Sequence, residues 1–204
     1  MANATDRKET SMGLAQDNLL ENARRMTALA ADEAFGDAFD RAAEIMVTAL
    51  QQGGTIFACG NGGSMTNAQH FAEELTGRFR GNRPPLRAMA ISDPSHLTCV
   101  ANDYGYEFVF SKFVEAFAKP GDVLFALSTS GKSPNVLRAA EAMTAAGGIV
   151  IGSSATAETP LAGIADVAFA LGASRWADRV QESELVVIHS LMQAIEDGLG
   201  YSAE

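Results

Sequence analysis

The sequence contains few cysteines, and their spacing is informative. Only two occur among 204 residues, Cys59 and Cys99, and each stands beside apolar residues rather than in a CxxC pair. This pattern excludes a disulfide-stapled scaffold and gives no sign of a cysteine-rich metal site. It predicts two buried, reduced thiols in a cytoplasmic protein.

Positive charge and long apolar runs are also scarce. Lys and Arg number 15 against 25 Asp and Glu, which gives a formal net charge of −10. Such an acidic chain is a poor partner for nucleic acid or for an anionic membrane surface, so an anionic ligand must be held by local groups. No segment approaches the roughly 20 apolar residues of a membrane-spanning helix. We therefore expect a soluble protein with neither a nucleic-acid nor a membrane partner.

What is present is a globular composition, with 47% hydrophobic and 20% charged residues. This length and composition predict one domain with a helical extension. Residues 1–12 form a polar segment that we expect to be a flexible tail. Apolar residues recur at helical spacing through residues 13–52, and Gly53 and Gly54 supply the helix stop. We therefore expect N-terminal helices there, ahead of a domain at residues 53–200.

Short apolar runs alternate with longer helical patterns in the rest of the chain. Alternation of this kind requires crossover connections, which join parallel strands through helices. It predicts a three-layer α/β fold with a mainly parallel five-stranded sheet. The strand candidates are Thr55–Cys59, Ala88–Ile91, Val123–Leu127, Gly148–Ile151 and Val167–Ala170.

Two loops that follow predicted strands have the composition of an anion site. The first is CGNGGS at residues 59–64, and the second is STSGKSP at residues 128–134. Glycines expose main-chain amides, and hydroxyls together with a helix N-terminus can bind phosphate without many cations. Ser, Thr and Gly are also ordinary loop and capping residues, so either loop alone is ambiguous. The first loop has neither the spacing of a P-loop nor that of a dinucleotide-binding fingerprint.

Two of the three histidines lie on helix faces that carry other polar groups. His70 and Glu74 are four residues apart and share one face of the helix after the first loop. Gln181 and His189 share a face of the last predicted helix, about Ala177 to Leu199. An imidazole and a carboxylate could meet one metal ion or substrate. A surface contact for His70 and Glu74, and a core position for His189, remain the alternatives.

Six segments carry a resemblance to a known family, and they run in order through the chain. They are CGNGGS, QHFAEELTGRF, AISD, VANDYG, GDVLFALSTSGKSPNV and ADRVQESELVVIH. Together they resemble the sugar isomerase (SIS) domain family, and within it the bacterial phosphoheptose isomerases, over about Asp32 to Leu199. The resemblance implies a flavodoxin-like fold, with residues 53–200 as the SIS domain.

The resemblance also implies an activity and the residues that perform it. The reaction is an aldose–ketose isomerisation of sedoheptulose 7-phosphate to D-glycero-D-manno-heptose 7-phosphate, the first step towards the ADP- or GDP-heptoses of bacterial surface glycans such as lipopolysaccharide. Glu74 and His189 are the implied catalytic residues, and zinc, one ion per subunit, is the implied cofactor. The implied metal ligands are His70, Glu74, Gln181 and His189. The implied substrate contacts are Asn61, Gly62, Gly63, Ser64, Glu74, Asn102, Asp103, Ser128, Thr129, Ser130, Ser133 and Gln181.

Assembly and the competing functions follow from the same resemblance. The family implies a homotetramer with active sites at subunit boundaries, in which the N-terminal helices pack on the core and on neighbouring subunits. One alternative is a noncatalytic, protein-binding tetramer of the replication-initiator-associating type. Such relatives lack the paired catalytic Glu and His, which this chain has in Glu74 and His189. The other alternative is an isomerase of a different phosphosugar.

Overall fold

A single parallel sheet forms the centre of the molecule. The computed structural model describes residues 13–201, and within them five strands pair in the order β2-β1-β3-β4-β5, every pair parallel. The strands are β1 (Ile56–Gly60), β2 (Ala88–Ala90), β3 (Val123–Leu127), β4 (Ile149–Ser154) and β5 (Val167–Ala170). All five coincide with predicted strands to within three residues at each end. The predicted tail at residues 1–12 lies outside the described residues.

Helices precede the sheet and connect its strands. They are α1 (Leu14–Ala30), α2 (Glu33–Gln51), α3 (Gly63–Thr76), α4 (Pro94–Asp103), α5 (Ser111–Phe117), α6 (Pro134–Ala145), α7 (Pro160–Ile164) and α8 (Ala177–Gly198). Asp32 caps α2 through its carboxylate, which accepts from the amides of Ala34 and Phe35, as expected of an N-cap aspartate. Gly53 takes a φ of 78° just beyond the end of α2, so the predicted glycine stop is present.

The helices cover both faces of the sheet, which confirms the three-layer α/β prediction. On one face, Ile56, Ala58 and Phe125 pack against α2, α3 and α8. On the other face, Phe57 and Leu124 pack with side chains of α4 to α7. Alternate residues of each buried strand point to opposite faces, so one strand contributes to both cores. Strands buried on both faces read as continuous apolar runs, which is why they are visible in the sequence.

The strand order places the two predicted anion loops side by side. The chain moves from β1 to β2 in one direction and then crosses to β3 on the other side of β1. Ligands of open parallel sheets bind at this reversal, beyond the carboxyl ends of the strands. β1 leads into the loop before α3, and β3 leads into the loop before α6. The topology therefore places both loops side by side at the carboxyl end of the sheet.

One cysteine prediction is wrong. Cys59 is buried in β1, and burial raises the pKa of its thiol to about 12. Cys99 is exposed, because the neighbouring Val100 takes the inward position on α4 and adjacent helical residues point about 100° apart. Among residues 13–201, no helix has the length and apolar character needed to cross a bilayer.

Candidate active site

The first loop is shaped by close backbone packing at the start of α3. A side chain at Gly60 would come within 2.8 Å of the backbone of Ser64, so β1 ends on a glycine for steric reasons. Gly62 has a φ of 55° and precedes the helix without a capping side chain. The helix N-terminus, with its partial positive charge, therefore has no capping side chain of its own loop.

The second loop brings hydroxyl groups together in front of α6. The hydroxyls of Ser128 and Ser133 are 3.1 Å apart, and the hydroxyl of Ser130 accepts from the amide of Lys132 at 3.2 Å. Gly131 has a φ of 61°, and a side chain there would overlap Thr159. Ser130 and Lys132 are exposed, while Thr129 and Ser133 are partly buried. The loop thus presents neutral donors at the edge of the sheet.

A pair of amides ties the two loops to each other. Asn61 and Asn135 exchange reciprocal side-chain hydrogen bonds of 2.9 and 2.8 Å. The Tyr106 hydroxyl donates to the same Asn61 oxygen at 3.0 Å. Asn135 is buried at the start of α6, so the predicted substrate residue Asn61 is held by a partner that the sequence did not single out.

His70, Glu74 and His189 meet where α3 packs on α8. The Nε2 atoms of the two histidines are 2.8 Å apart, and His70 Nε2 lies 3.6 Å from Glu74 Oε1. One ligand atom from each residue falls within 4.8 Å of the others, and all three side chains are half-buried. Two imidazole nitrogens and a carboxylate oxygen form a donor set that suits a divalent ion such as zinc.

Two neighbours that sequence reasoning missed orient this triad. Glu73, which the helical period turns away from Glu74, contacts Nδ1 of His70 at 2.9 Å. A carboxylate on Nδ1 directs Nε2 of the same ring towards the other groups, as is usual for metal-binding histidines. Phe79 stacks on the His189 ring with centroids 5.8 Å apart and planes 26° apart. The three-residue spacing between His70 and Glu73 is the sequence feature that could have indicated this contact.

Gln181 lies beside the N-terminus of α3. Its main-chain carbonyl accepts from the Asn67 side chain at 3.1 Å, and its amide fills the space that a side chain at Gly63 would need. Gln181 therefore contacts the first loop, on the helix that also carries His189.

Other polar residues lie apart from the triad. Asn102 and Asp103 are exposed at the end of α4 and bond to each other at 2.7 Å. His96 directs Nε2 to the carbonyl oxygen of Val109 at 2.9 Å, which leaves it outside the triad.

Ser64 points away from solvent towards a buried acid. Its hydroxyl donates to Glu184 Oε2 at 3.3 Å, and the two residues are only 3% and 1% exposed. Burial is the main cause that raises the pKa of Glu184 to about 7. Sequence reasoning missed Glu184, although it lies one helical turn after Gln181.

Comparison with known proteins identifies the family of the chain. The SIS domain family model matches residues 20–154. The phosphoheptose isomerase of Aeromonas hydrophila is 47% identical over 183 residues, which span 90% of this chain and 95% of that protein. That of Vibrio cholerae is 50% identical over 157 residues, covering 77% and 82% of the two chains.

Solved structures agree as well. The phosphoheptose isomerase from Neisseria gonorrhoeae superposes with a TM-score of 0.83 at 35% identity, covering 92% of this chain and all of that one. The enzyme from Francisella tularensis gives 0.84 at 30% identity, covering 93% and 100%. The chain belongs to the SIS-domain family, in its phosphoheptose isomerase branch.

Proposed function

We propose that this protein is the isomerase that converts sedoheptulose 7-phosphate to D-glycero-D-manno-heptose 7-phosphate. The observation that carries the proposal is the meeting of Glu74 and His189 on facing helices, 2.8 to 3.6 Å from the shared neighbour His70. An aldose–ketose isomerisation of a sugar phosphate requires an acid–base pair for the proton transfers and a site for the phosphate, such as the hydroxyl-rich loop. Relatives at 47 to 50% identity bear the name phosphoheptose isomerase.

The substrate's phosphate group binds the hydroxyl-rich loop. Its oxygens accept from Ser128, Thr129, Ser130 and Ser133 and face the N-terminus of α6, which favours negative charge. Neutral donors suit a chain with a net charge of −10. The sugar chain then extends towards Asn61, Gly62, Gly63, Asn102, Asp103 and Gln181, with Ser64 behind the first loop.

Glu74 and His189 divide the proton transfers. Glu74 removes a proton from C1 of the ketose, and the electron pair forms the C1–C2 double bond of an enediolate. His189 supplies a proton to O2 and takes one from O1, after which the carbonyl forms at C1. Glu74 returns its proton to C2 and completes the aldose. Each group ends the cycle in its starting state, so the reaction needs no external oxidant or reductant.

The triad is also the proposed metal centre. His70, Glu74 and His189, with Gln181 as a fourth ligand, would hold one zinc ion per subunit. Bound zinc would act as a Lewis acid that stabilises negative charge developing on the substrate oxygens. A set of nitrogen and oxygen ligands with an amide among them is expected to bind zinc less tightly than a cysteine site.

Assembly and cellular setting complete the proposal. We expect a cytoplasmic homotetramer whose active sites lie at subunit boundaries and whose product enters heptose synthesis for surface glycans such as lipopolysaccharide. The exposed apolar residues Leu185 and Val186 on α8, the helix that carries His189, support subunit packing at the site. Asn102 and Asp103 would complete the sugar contacts there.

The test is direct turnover of the proposed substrate. Purified protein is incubated with sedoheptulose 7-phosphate, with added zinc or with chelator, and the aldoheptose phosphate is quantified. Glu74→Gln and His189→Ala should each lower kcat by at least about a hundredfold. Glu141→Gln, which removes an exposed carboxylate from α6, is the matched control and should keep full activity. Wild-type protein that binds the sugar phosphate without converting it would refute the isomerase. Turnover of another phosphosugar alone would instead indicate a different substrate.

A noncatalytic, protein-binding role is not favoured. That role needs no acid–base pair, whereas Glu74 and His189 converge here on one imidazole.

A further inference from the structure

Glu184 is a buried acid on α8 that the proposed reaction does not use. Its side chain is almost completely enclosed, with 1% of the residue exposed. Within the described part of the chain its partners are all neutral: Ser64 Oγ and Asn67 Nδ2 at Oε2, at 3.3 and 3.1 Å, and Ser153 Oγ at Oε1, at 3.3 Å. Burying a carboxylate without a cation costs free energy. The presence of Glu184 at this position therefore calls for a function of its carboxyl group.

The three contacts of Glu184 can be made by a neutral carboxylic acid as well as by a carboxylate. Ser64 and Asn67 both donate to Oε2. The Ser153 hydroxyl donates to Oε1 when the acid is ionised and accepts from Oε1 when it is protonated. Burial raises the pKa of Glu184 to about 7, which makes the protonated form accessible near neutral pH. The three contacts satisfy the buried acid without an ion pair.

The partners of Glu184 lie next to both loops of the site. Ser64 and Asn67 lie in the first two turns of α3, directly after the glycine-rich loop. Ser153 is near the end of β4, and its main-chain carbonyl accepts from the amide of Ser128 at 3.0 Å. Ser128 is the first residue of the hydroxyl-rich loop. The carboxyl group therefore connects the start of α3, through Ser64 and Asn67, to Ser153, which bonds to the hydroxyl-rich loop.

We propose that Glu184 is a positioning residue for the phosphate end of the substrate. Its carboxyl group links the start of α3 to Ser153 and so holds the glycine-rich loop in place beside the hydroxyl-rich loop. The inference rests on the proposed function, since it assigns the phosphate to the second loop. A neutral acid serves this place better than a carboxylate, because a buried negative charge behind the loop would repel the phosphate. Glutamine at position 184 would keep this bridge between α3 and Ser153. Its side-chain carbonyl would accept from Ser64 and Asn67, and its amide would donate to Ser153.

Steady-state kinetics of three variants test the proposal. Glu184→Leu removes the bridge and keeps an apolar side chain of similar size, and Glu184→Gln keeps the bridge without a titrating group. Ser183→Ala is the matched control, because it deletes a buried hydroxyl of the same helix that donates to the Arg179 carbonyl within its own helix. Each purified protein is assayed with sedoheptulose 7-phosphate. Calorimetric titration with inorganic phosphate measures the phosphate site without turnover.

The expected result is a change in KM rather than in kcat. Glu184→Leu should raise KM and weaken phosphate binding by about tenfold, the effect of losing one well-placed hydrogen bond, with kcat kept within about threefold. Glu184→Gln and Ser183→Ala should stay within about twofold of wild type. Folded Glu184→Leu with wild-type KM and phosphate affinity would overturn the proposal. Equal losses in Glu184→Gln and Glu184→Leu would overturn it too, since the charge would then be what matters.

If Glu184→Leu does not fold, a second variant tests the proposal. Ser153→Ala removes one arm of the bridge and should raise KM about threefold, and an unchanged KM and phosphate affinity in that folded variant would overturn the proposal. Wild-type protein that fails to convert sedoheptulose 7-phosphate refutes the proposed function instead. The phosphate titrations of the same variants still decide the role of Glu184 in that case.

Discussion

Arg83 donates a hydrogen bond of 2.6 Å to the main-chain carbonyl of Glu74. The same guanidinium group reaches the carbonyl of Leu75 at 2.8 Å and pairs with the carboxylate of Glu196 at 2.7 Å. The side chains of this ion pair are only 0% and 3% exposed. Arg83 thus satisfies carbonyls at the end of α3 that the helix itself leaves free, and it fixes the turn that carries the proposed base.

Replacing Arg83 should therefore cost both stability and catalysis. Arg83→Met leaves Glu196 buried without its cation, and the free energy of unfolding should fall by about 3–5 kcal/mol. The double variant Arg83→Met with Glu196→Met should recover most of that stability, because both charges are then absent. Its kcat should stay below wild type, since the Glu74 carbonyl still lacks a donor. Chemical denaturation measures the loss of stability, and turnover assays measure the loss of kcat. An Arg83→Met protein as stable as wild type would contradict the predicted loss of stability.

Phe79 provides a second prediction, because its ring contacts both the proposed catalytic residue His189 and the cation of Arg80. One side of it stacks on His189, and the guanidinium carbon of Arg80 lies 5.1 Å from the ring centroid. Arg80 is itself anchored to Gln193 of α8 at 2.7 Å. Phe79→Ala should release the His189 ring and lower kcat by about tenfold, whereas Phe79→Tyr keeps the stack and should stay close to wild type. Equal kcat values for the two variants would show that the stack does not orient His189.

The substitution Gly63→Ala tests whether Gln181 takes part in substrate and metal binding. A methyl group on Gly63 would occupy the position of the Gln181 amide, the mobile end of a side chain, so the amide should move aside. Stability should change by less than about 1 kcal/mol, the usual Gly to Ala difference in a helix. KM should rise, and the zinc needed for half-maximal activity should increase. Gly163→Ala, at a helical position with open space around it, is the control and should leave both values unchanged. A Gly63→Ala enzyme that matches this control would exclude Gln181 from substrate and metal binding.

The sheet could be predicted from the sequence because its strands are buried on both faces. The main difference is in β4, which was expected to end at Ile151 and runs to Ser154. Ser153 and Ser154 look like loop residues, yet they are buried because Glu184 and Thr159 satisfy their hydroxyls. Hydrogen-bond partners outside the strand, one of them 31 residues away, thus override the hydrophobic pattern.

The candidate site was predictable only in pieces. Helical spacing put His70 with Glu74, and Gln181 with His189, on single faces, but spacing carries no information about which helices touch. The packing of α3 on α8 was implied by the family resemblance alone. Glu184 escaped notice because an acidic residue in an amphipathic helix normally faces water. Its partners Ser64 and Asn67 lie 120 and 117 residues away in the chain.

Glu184 should make the stability of the protein depend on pH. Its pKa is raised from 4.5 to about 7, so the folded state binds the proton more tightly than the unfolded chain does. The stabilisation is fully present below about pH 4.5 and is lost as the pH rises through 7, by up to about 3 kcal/mol. Glu184→Gln does not titrate, so its free energy of unfolding should exceed that of wild type by a margin that grows between pH 5 and 8. Chemical denaturation of both proteins across this range measures the margin, and the histidine contributions cancel in the difference. A constant margin would mean that Glu184 has the same pKa in the folded and unfolded chains.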